Sequence, residues 1–209
     1  MGNAFRKLRD WLCAPSTFPA RVVMLGLDNS GKTTILMLLK DSSAGFPRTV
    51  PTLGFNVECF RHQNVDLTVW DVGGQNQLRP LWQHYLKNSE ALIFVVDAHD
   101  RHRMQEAASE FQTIVNNPII AHCPVLVFAN KQDLPESMAP IEVCRVLKLQ
   151  TDEFHDRRWR VQGTVGTEGL GLHQGLDWLV SAISSSPQHK SCTITSPADA
   201  APAQSTTAG

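Results

Sequence analysis

The run Gly26-Leu27-Asp28-Asn29-Ser30-Gly31-Lys32-Thr33, with Thr34 behind it, fits G-x-x-x-x-G-K-[ST]. Residue types at that spacing bind phosphate. Backbone N–H groups of the loop and the positive end of the following helix face phosphate oxygens. Lys32 reaches the β- and γ-phosphates, and the Thr33 hydroxyl takes Mg2+. Asp71-Val72-Gly73-Gly74-Gln75 adds a carboxylate that can hold Mg2+ through water. Its glycines let backbone approach a γ-phosphate, and Gln75 can orient an attacking water. In Asn130-Lys131-Gln132-Asp133 the spacing is N-K-x-D. There the Asp133 carboxylate accepts hydrogen bonds from N1–H and N2–H2 of guanine. Adenine presents neither donor in that geometry, so the contact selects GTP over ATP. The stem of Lys131 can pack on the base plane. Pro51-Thr52 lies between the first helix and the second strand, placed to close over the metal.

These groups need rigid elements to carry them. Arg21–Leu25 is a short β-branched apolar run, the signature of a buried strand, and Ile35–Lys40 holds good helix formers. Gly54–Phe60 and Val65–Asp71 read as two strands, made a hairpin by Arg61-His62-Gln63-Asn64. Strands at 91–97 and 125–129 alternate with helices near 101–116 and 140–148. Arg158–Gln162 is a last strand, and Leu172, Leu176, Leu179, Val180 and Ile183 make the apolar face of a final helix. The alternation predicts an α/β fold.

Length and charge bound the remainder. With 209 residues, 42% of them hydrophobic, the chain can bury one core. A net charge of −1 gives no reason to expect nucleic acid as a partner. No apolar run approaches the length of a membrane span. Cys13, Cys59, Cys123, Cys144 and Cys192 show no paired spacing and read as reduced thiols of a cytosolic protein. The expected organisation is an N-terminal helix and linker over 1–17, a nucleotide-binding domain over 18–183, and a Ser-, Ala-, Pro- and Thr-rich disordered tail over 184–209. That tail ends without cysteine, so prenylation is not expected.

The N-terminus carries a second message. Wound as a helix, Ala4, Phe5, Leu8, Trp11 and Leu12 share an arc of roughly 120°, with Arg6, Lys7, Arg9 and Asp10 opposite. Such a helix suits a membrane interface, or else a groove on the domain's own surface. Gly2 is a candidate for N-myristoylation, although Arg6 stands where the usual pattern has Ser or Thr. Cys13 reads as a free thiol, with palmitoylation the alternative.

In combination, Gly26–Thr34, Pro51–Glu58, Trp70–Gln75, Leu78-Arg79-Pro80-Leu81-Trp82, Leu92–Asp97 and Asn130–Pro135 resemble the ADP-ribosylation-factor family of small GTPases. The resemblance implies the P-loop small GTPase fold, a mostly parallel six-stranded sheet with one antiparallel strand and helices on both faces. It implies a monomer that binds GDP or GTP with Mg2+ and hydrolyses GTP slowly. Exchange factors, activating proteins and effectors are its partners in vesicular trafficking. The family is cytoplasmic and associates reversibly with Golgi or other endomembranes, and this resemblance favours acylation of Gly2. Its hairpin shifts register between nucleotide states, and its effectors contact an aromatic trio matching Phe55, Trp70 and Tyr85. Where the family usually reads Cys- or Ser-Ala-Thr or -Lys at the guanine edge, this chain has Val165-Gly166-Thr167, and the N–H of Gly166 is expected to meet guanine O6. Arg79 is a remote candidate to reach the leaving phosphate and reads rather as a surface or partner-contact residue, so an activating protein would supply the arginine that unaided hydrolysis lacks. Two other readings stay open: a GTP-dependent scaffold that barely hydrolyses, and a P-loop kinase or ATPase, against which Asn130–Asp133 counts.

Overall fold

The computed structural model describes residues 17–41, 52–151, 154 and 156–185. The N-terminal segment with Gly2, Arg6 and Cys13, the loop residues 42–51 including Pro51, and the tail beyond 185 lie outside them.

Six strands form one sheet in the order β2-β3-β1-β4-β5-β6. They are β1 (Phe18–Leu25), β2 (Phe55–His62), β3 (Val65–Val72), β4 (Ala91–Asp97), β5 (Val125–Asn130) and β6 (Trp159–Gly163). Only β2 runs antiparallel, paired to β3 at the sheet edge, and all other pairings are parallel. The helices are α1 (Lys32–Lys40), α2 (Trp82–Tyr85), α3 (Met104–Val115), α4 (Pro140–Val146) and α5 (Leu172–Ser184). The expected sheet, with its single antiparallel strand, is the one observed.

Period-two alternation sorts the strands' side chains onto two faces. Val23 and Leu25 of β1 join Phe94 and Val96 of β4 under α2, α3 and α4, around Trp82 and Phe111. Val22 and Met24 join Ile93 and Val95 under α1 and α5, against Ile35, Leu36, Leu176 and Leu179. β4 is buried from Ala91 to Val96 because both its faces are covered, hence its unbroken apolar run. Each fully buried Leu or Phe of these two layers contributes about 1.5–3 kcal/mol.

Among the boundaries that differ from the expectation, two shape the hairpin side of the sheet. β1 starts at Phe18 rather than Arg21, because Phe18, Pro19 and Ala20 continue its pairing with Val65, Asp66 and Leu67 of β3. The hairpin strands run on to His62, leaving a turn of Gln63 and Asn64 instead of four residues. Gln63 takes a left-handed φ of 53°, and Arg61 donates across the strands to Asp66 at 2.7 Å.

After β1 the chain runs out to β2 and β3 on one side of it, then crosses from β3 over β1 to β4 on the other. Strand order reverses there, and in open α/β sheets the crevice beyond the carboxyl ends of such strands holds the ligand. The three motif loops leave the sheet at that end.

Candidate functional site

Beyond the carboxyl ends of β1 and β5 lies a cavity of about 420 Å3. Its first wall is the Gly26–Thr34 loop and the start of α1. Gly26 adopts φ 145°, and a Cβ there would meet the Val95 carbonyl at 2.2 Å, so only glycine turns the chain at this point. Asn29 takes φ 60°, a conformation that Asn tolerates better than most residues. The helix begins after Gly31 without a side-chain cap, and Asp28, Asn29, Gly31, Lys32, Thr33 and Thr34 line the cavity. Lys32 is 6% exposed, and its Nζ donates to the carbonyls of Gly26 (2.9 Å) and Leu27 (2.8 Å). Burial pushes its pKa down to about 8, against the opposing pull of Asp71 and Asp28. An anion in the loop would restore the ammonium's full charge.

The second wall joins three separate stretches. Thr33 Oγ1 donates to Asp71 Oδ2 at 2.7 Å and lies 3.0 Å from Thr52 Oγ1. Asp71 is wholly buried, and its Oδ1 has no hydrogen-bond partner among the described residues. Two hydroxyls and a half-satisfied buried carboxylate form an oxygen donor set that fits Mg2+, a hard cation that takes one or two carboxylates and completes its shell with water and phosphate. Gly74 and Gln75 also line the cavity. Gly74 presses on the phosphate loop so closely that a Cβ would meet Asp28 N at 2.3 Å and Gly26 O at 2.4 Å, and its carbonyl accepts from the Asp28 N–H at 3.2 Å.

Asn130, Lys131, Asp133 and Gly166 line the third wall. Asn130 acts as a brace: its Nδ2 donates to Ser30 O at 2.9 Å, and its Oδ1 accepts from Thr164 Oγ1 (3.2 Å) and Gly166 N (2.9 Å). It thus ties the phosphate loop to the loop after β6. Lys131 holds φ 67° with its Nζ donating to Asp97 Oδ2 at 2.6 Å, which draws the stem along the cavity edge. The Gly166 N–H, expected to meet guanine O6, donates in this structure to Asn130 Oδ1. Packing is close here, since a Cβ at 166 would lie 2.9 Å from both Asn130 Oδ1 and Ile35 Cγ1. Glycine in place of alanine lets this loop settle against α1.

Of the expected nucleotide and metal residues, Gly26, Ser30, Asp71 and Val165 do not line the cavity; Asp71 lies behind Thr33, from whose hydroxyl it accepts a hydrogen bond. Gly26 and Ser30 contribute carbonyls to Lys32 and Asn130, and Val165 is buried with its N–H donated to Leu170 O. Leu134 and Thr167, adjoining the motifs, line the cavity as well. Phe55, Trp70 and Tyr85 meet on the outer surface. Phe55 stacks on Trp70 at 5.2 Å between centroids and leans on Tyr85 at 5.5 Å, while the Arg21 guanidinium lies 4.0 Å over the Trp70 ring. Phe55 is 48% and the neighbouring Leu53 87% exposed, making an apolar patch beside the cavity mouth.

Arg79 overturns its reading as a surface residue. It is 8% exposed, with Nε donating to Gly74 O at 2.9 Å and Nη1 to Glu106 Oε1 at 2.7 Å. Beside it, Arg103 Nη2 donates to Asp28 Oδ1 at 2.7 Å and its Nε to Glu106 Oε2 at 2.9 Å. Hydrogen bonds from Arg103 to both carboxyls, joined at Glu106 by one from Arg79, hold Asp28 and Glu106 below their ordinary range.

A profile of the ADP-ribosylation factor family matches residues 7–183. Among solved structures, the fold is similar to the Arl6 BBS3 small GTPase from Trypanosoma brucei, determined with the nucleotide analogue GppNp bound. The two share 36% identity and a TM-score of 0.74, over 81% of this chain and 99% of that one. With the phosphate loop, the oxygen donor set and the Asn130–Asp133 loop gathered at one sheet end, the chain belongs to the ADP-ribosylation factor family of GTP-binding, GTP-hydrolysing switches.

Proposed function

We propose that this protein is a slow, Mg2+-dependent GTPase whose GTP form associates with endomembranes and recruits effectors in vesicular trafficking. The observation that carries this is the meeting of Thr33, Thr52 and Asp71. It links the phosphate loop, the segment before β2 and the end of β3, so occupancy of one cavity governs the placement of all three. Mg2+ held by these residues would draw charge from the phosphate oxygens. The chain's own residues do the rest. Lys32 and the N–H groups before α1 bind the phosphates, and Asp133 reads guanine with Lys131 beside the base. Gln75 orients a water in line with the γ-phosphate. Among the described residues no arginine lines the cavity, so unaided turnover would be slow, and an activating protein would add about 10³–10⁵-fold.

The aromatic surface of Phe55, Trp70 and Tyr85 supports effector binding, because it spans β2, β3 and α2, the elements tied to Thr52 and Gly74. For residues 2–12 we propose an amphipathic helix that rests on the domain with GDP bound and inserts in membrane with GTP bound. Acylation of Gly2 would supply a second anchor, since one myristoyl chain alone attaches weakly. Co-sedimentation of acylated full-length protein with liposomes, loaded with GDP or a non-hydrolysable GTP analogue, tests the switch. The analogue form should pellet in excess, and equal pelleting would leave the N-terminus a constitutive anchor. Single-turnover GTP hydrolysis separates the GTPase from a non-hydrolysing scaffold.

A further inference from the structure

Two arginines and two glutamates lie behind the cavity wall and gather about Asp28, which lines it. Asp28 belongs to the phosphate loop, Arg79 follows Gln75, Arg103 immediately precedes α3, and Glu106 and Glu110 project from it. The guanidinium of Arg79 spans the group. Its Nε reaches Gly74 O, its Nη1 reaches Glu106 and Glu110 at 2.7 and 3.3 Å, and its buried Nη2 stands 3.6 Å from Asp28 Oδ1 without a hydrogen bond. The Gly74 carbonyl therefore accepts from two sides, from Arg79 Nε and from the Asp28 N–H. That carbonyl belongs to the peptide that ends at the Gln75 nitrogen. A planar trans peptide with its oxygen held twice has little freedom left, and the Gln75 Cα is fixed with it.

From this geometry we infer that Arg79 is a positioning residue for hydrolysis: it clamps the Gly74–Gln75 peptide and so sets where the Gln75 side chain holds its water. The inference rests on the GTPase reading. A buried guanidinium is costly to desolvate, and well-packed apolar residues commonly replace buried ion pairs without loss of stability. What an apolar residue cannot supply is a rigid donor fork serving one carbonyl and two carboxylates together. Lysine, with a single donor centre, reproduces it poorly. Glu106 and Glu110 orient the fork from α3, while Arg103 takes the Asp28 carboxylate.

The test uses full-length protein preloaded with GTP and compares wild type with Arg79→Lys, Arg79→Ala and Glu110→Gln. Wild type is assayed first. Loaded GTP that it leaves intact overturns the GTPase reading and the inference with it. Given wild-type turnover, Arg79→Lys should bind GDP and a GTP analogue about as wild type does yet hydrolyse about 10–100-fold more slowly, the scale expected for misplacement near 1 Å. Guanidinium chloride at millimolar concentration should recover part of the rate in Arg79→Ala, and Glu110→Gln should show a smaller loss. The inference is overturned if Arg79→Lys turns over at the wild-type rate. It is equally overturned if the rates of all three variants fall only in proportion to nucleotide affinity or melting temperature, with no guanidinium recovery, which would leave Arg79 a purely structural residue.

Discussion

Thr33 Oγ1 and Thr52 Oγ1 stand 3.0 Å apart, although 19 positions separate them in the chain. One belongs to the rigid start of α1 and the other to the segment that leads into β2. A cation taken between them and Asp71 would hold that segment closed. Thr52→Ala should therefore weaken a Mg2+-bound GTP analogue about 10–100-fold, the worth of a contact to a charged group, and leave GDP affinity nearly unchanged. Equilibrium titration with fluorescent nucleotides checks it, and equal weakening of both nucleotides would remove Thr52 from the γ-phosphate side. Chelating Mg2+ should speed GDP release in wild type.

Asp133→Asn should exchange preference for GDP with preference for xanthosine diphosphate, because an amide donates where the carboxylate accepted. Each charged hydrogen bond lost costs about 1.5–3 kcal/mol. Competition between the two nucleotides measures it. A variant that still prefers GDP as wild type does would show that base recognition lies elsewhere.

Gln75→Leu should retain nucleotide affinity and lose stimulated hydrolysis, since the side chain lines the cavity but only its placement of water is removed. Phosphate release after addition of an activating protein is the readout. A wild-type rate in the variant would exclude Gln75 from the mechanism.

The Arg103 contacts predict a pH signature. Hydrogen bonds from Arg103 lead the causes that lower the Asp28 and Glu106 carboxyls from their ordinary 3.8 and 4.5. Carboxyls lowered in the folded state stabilise it above their unfolded values and lose that contribution as pH falls through the folded ones. Arg103→Met should thus be destabilised near neutrality, and its gap from wild type should close as pH falls below about 4. Both carboxylate side chains are more than a third exposed, which keeps the effect to about 0.2–1 kcal/mol. Urea unfolding from neutrality down to about pH 2 decides it, and a gap independent of pH would assign the loss to packing.

The sequence displays the site's contact surfaces better than its braces. Lys32, Thr33, Gln75 and Asp133 sit in short runs whose spacing is itself the geometry, so their gathering at one sheet end follows from a strand, a loop and a helix in order. Asn130 reads as a nucleotide residue within its motif. Its bonds to Ser30 and Gly166, 100 and 36 positions away, exist only once β5 is set between β4 and β6, with β1 on the far side of β4, in the folded sheet. Arg103 and Asp28, 75 positions apart, meet for the same kind of reason. Arg79 reads as exposed because nothing local to Leu78–Trp82 reveals that α3 brings two glutamates over it.

The alternation along β3 has a mechanical consequence. Val65, Leu67 and Val69 point into one core layer, and their strand is joined to the rest of the sheet only through β1, with β2 carried at the free edge. Should the hairpin slide along β1, a step of one residue would turn every buried side chain out to water, whereas a step of two restores the pattern. Two residues of strand amount to about 6.6 Å, more than enough to part Thr52 from Thr33. Any sliding of the hairpin would therefore be ratcheted, from one notch to the next, because the core disfavours the odd register between them.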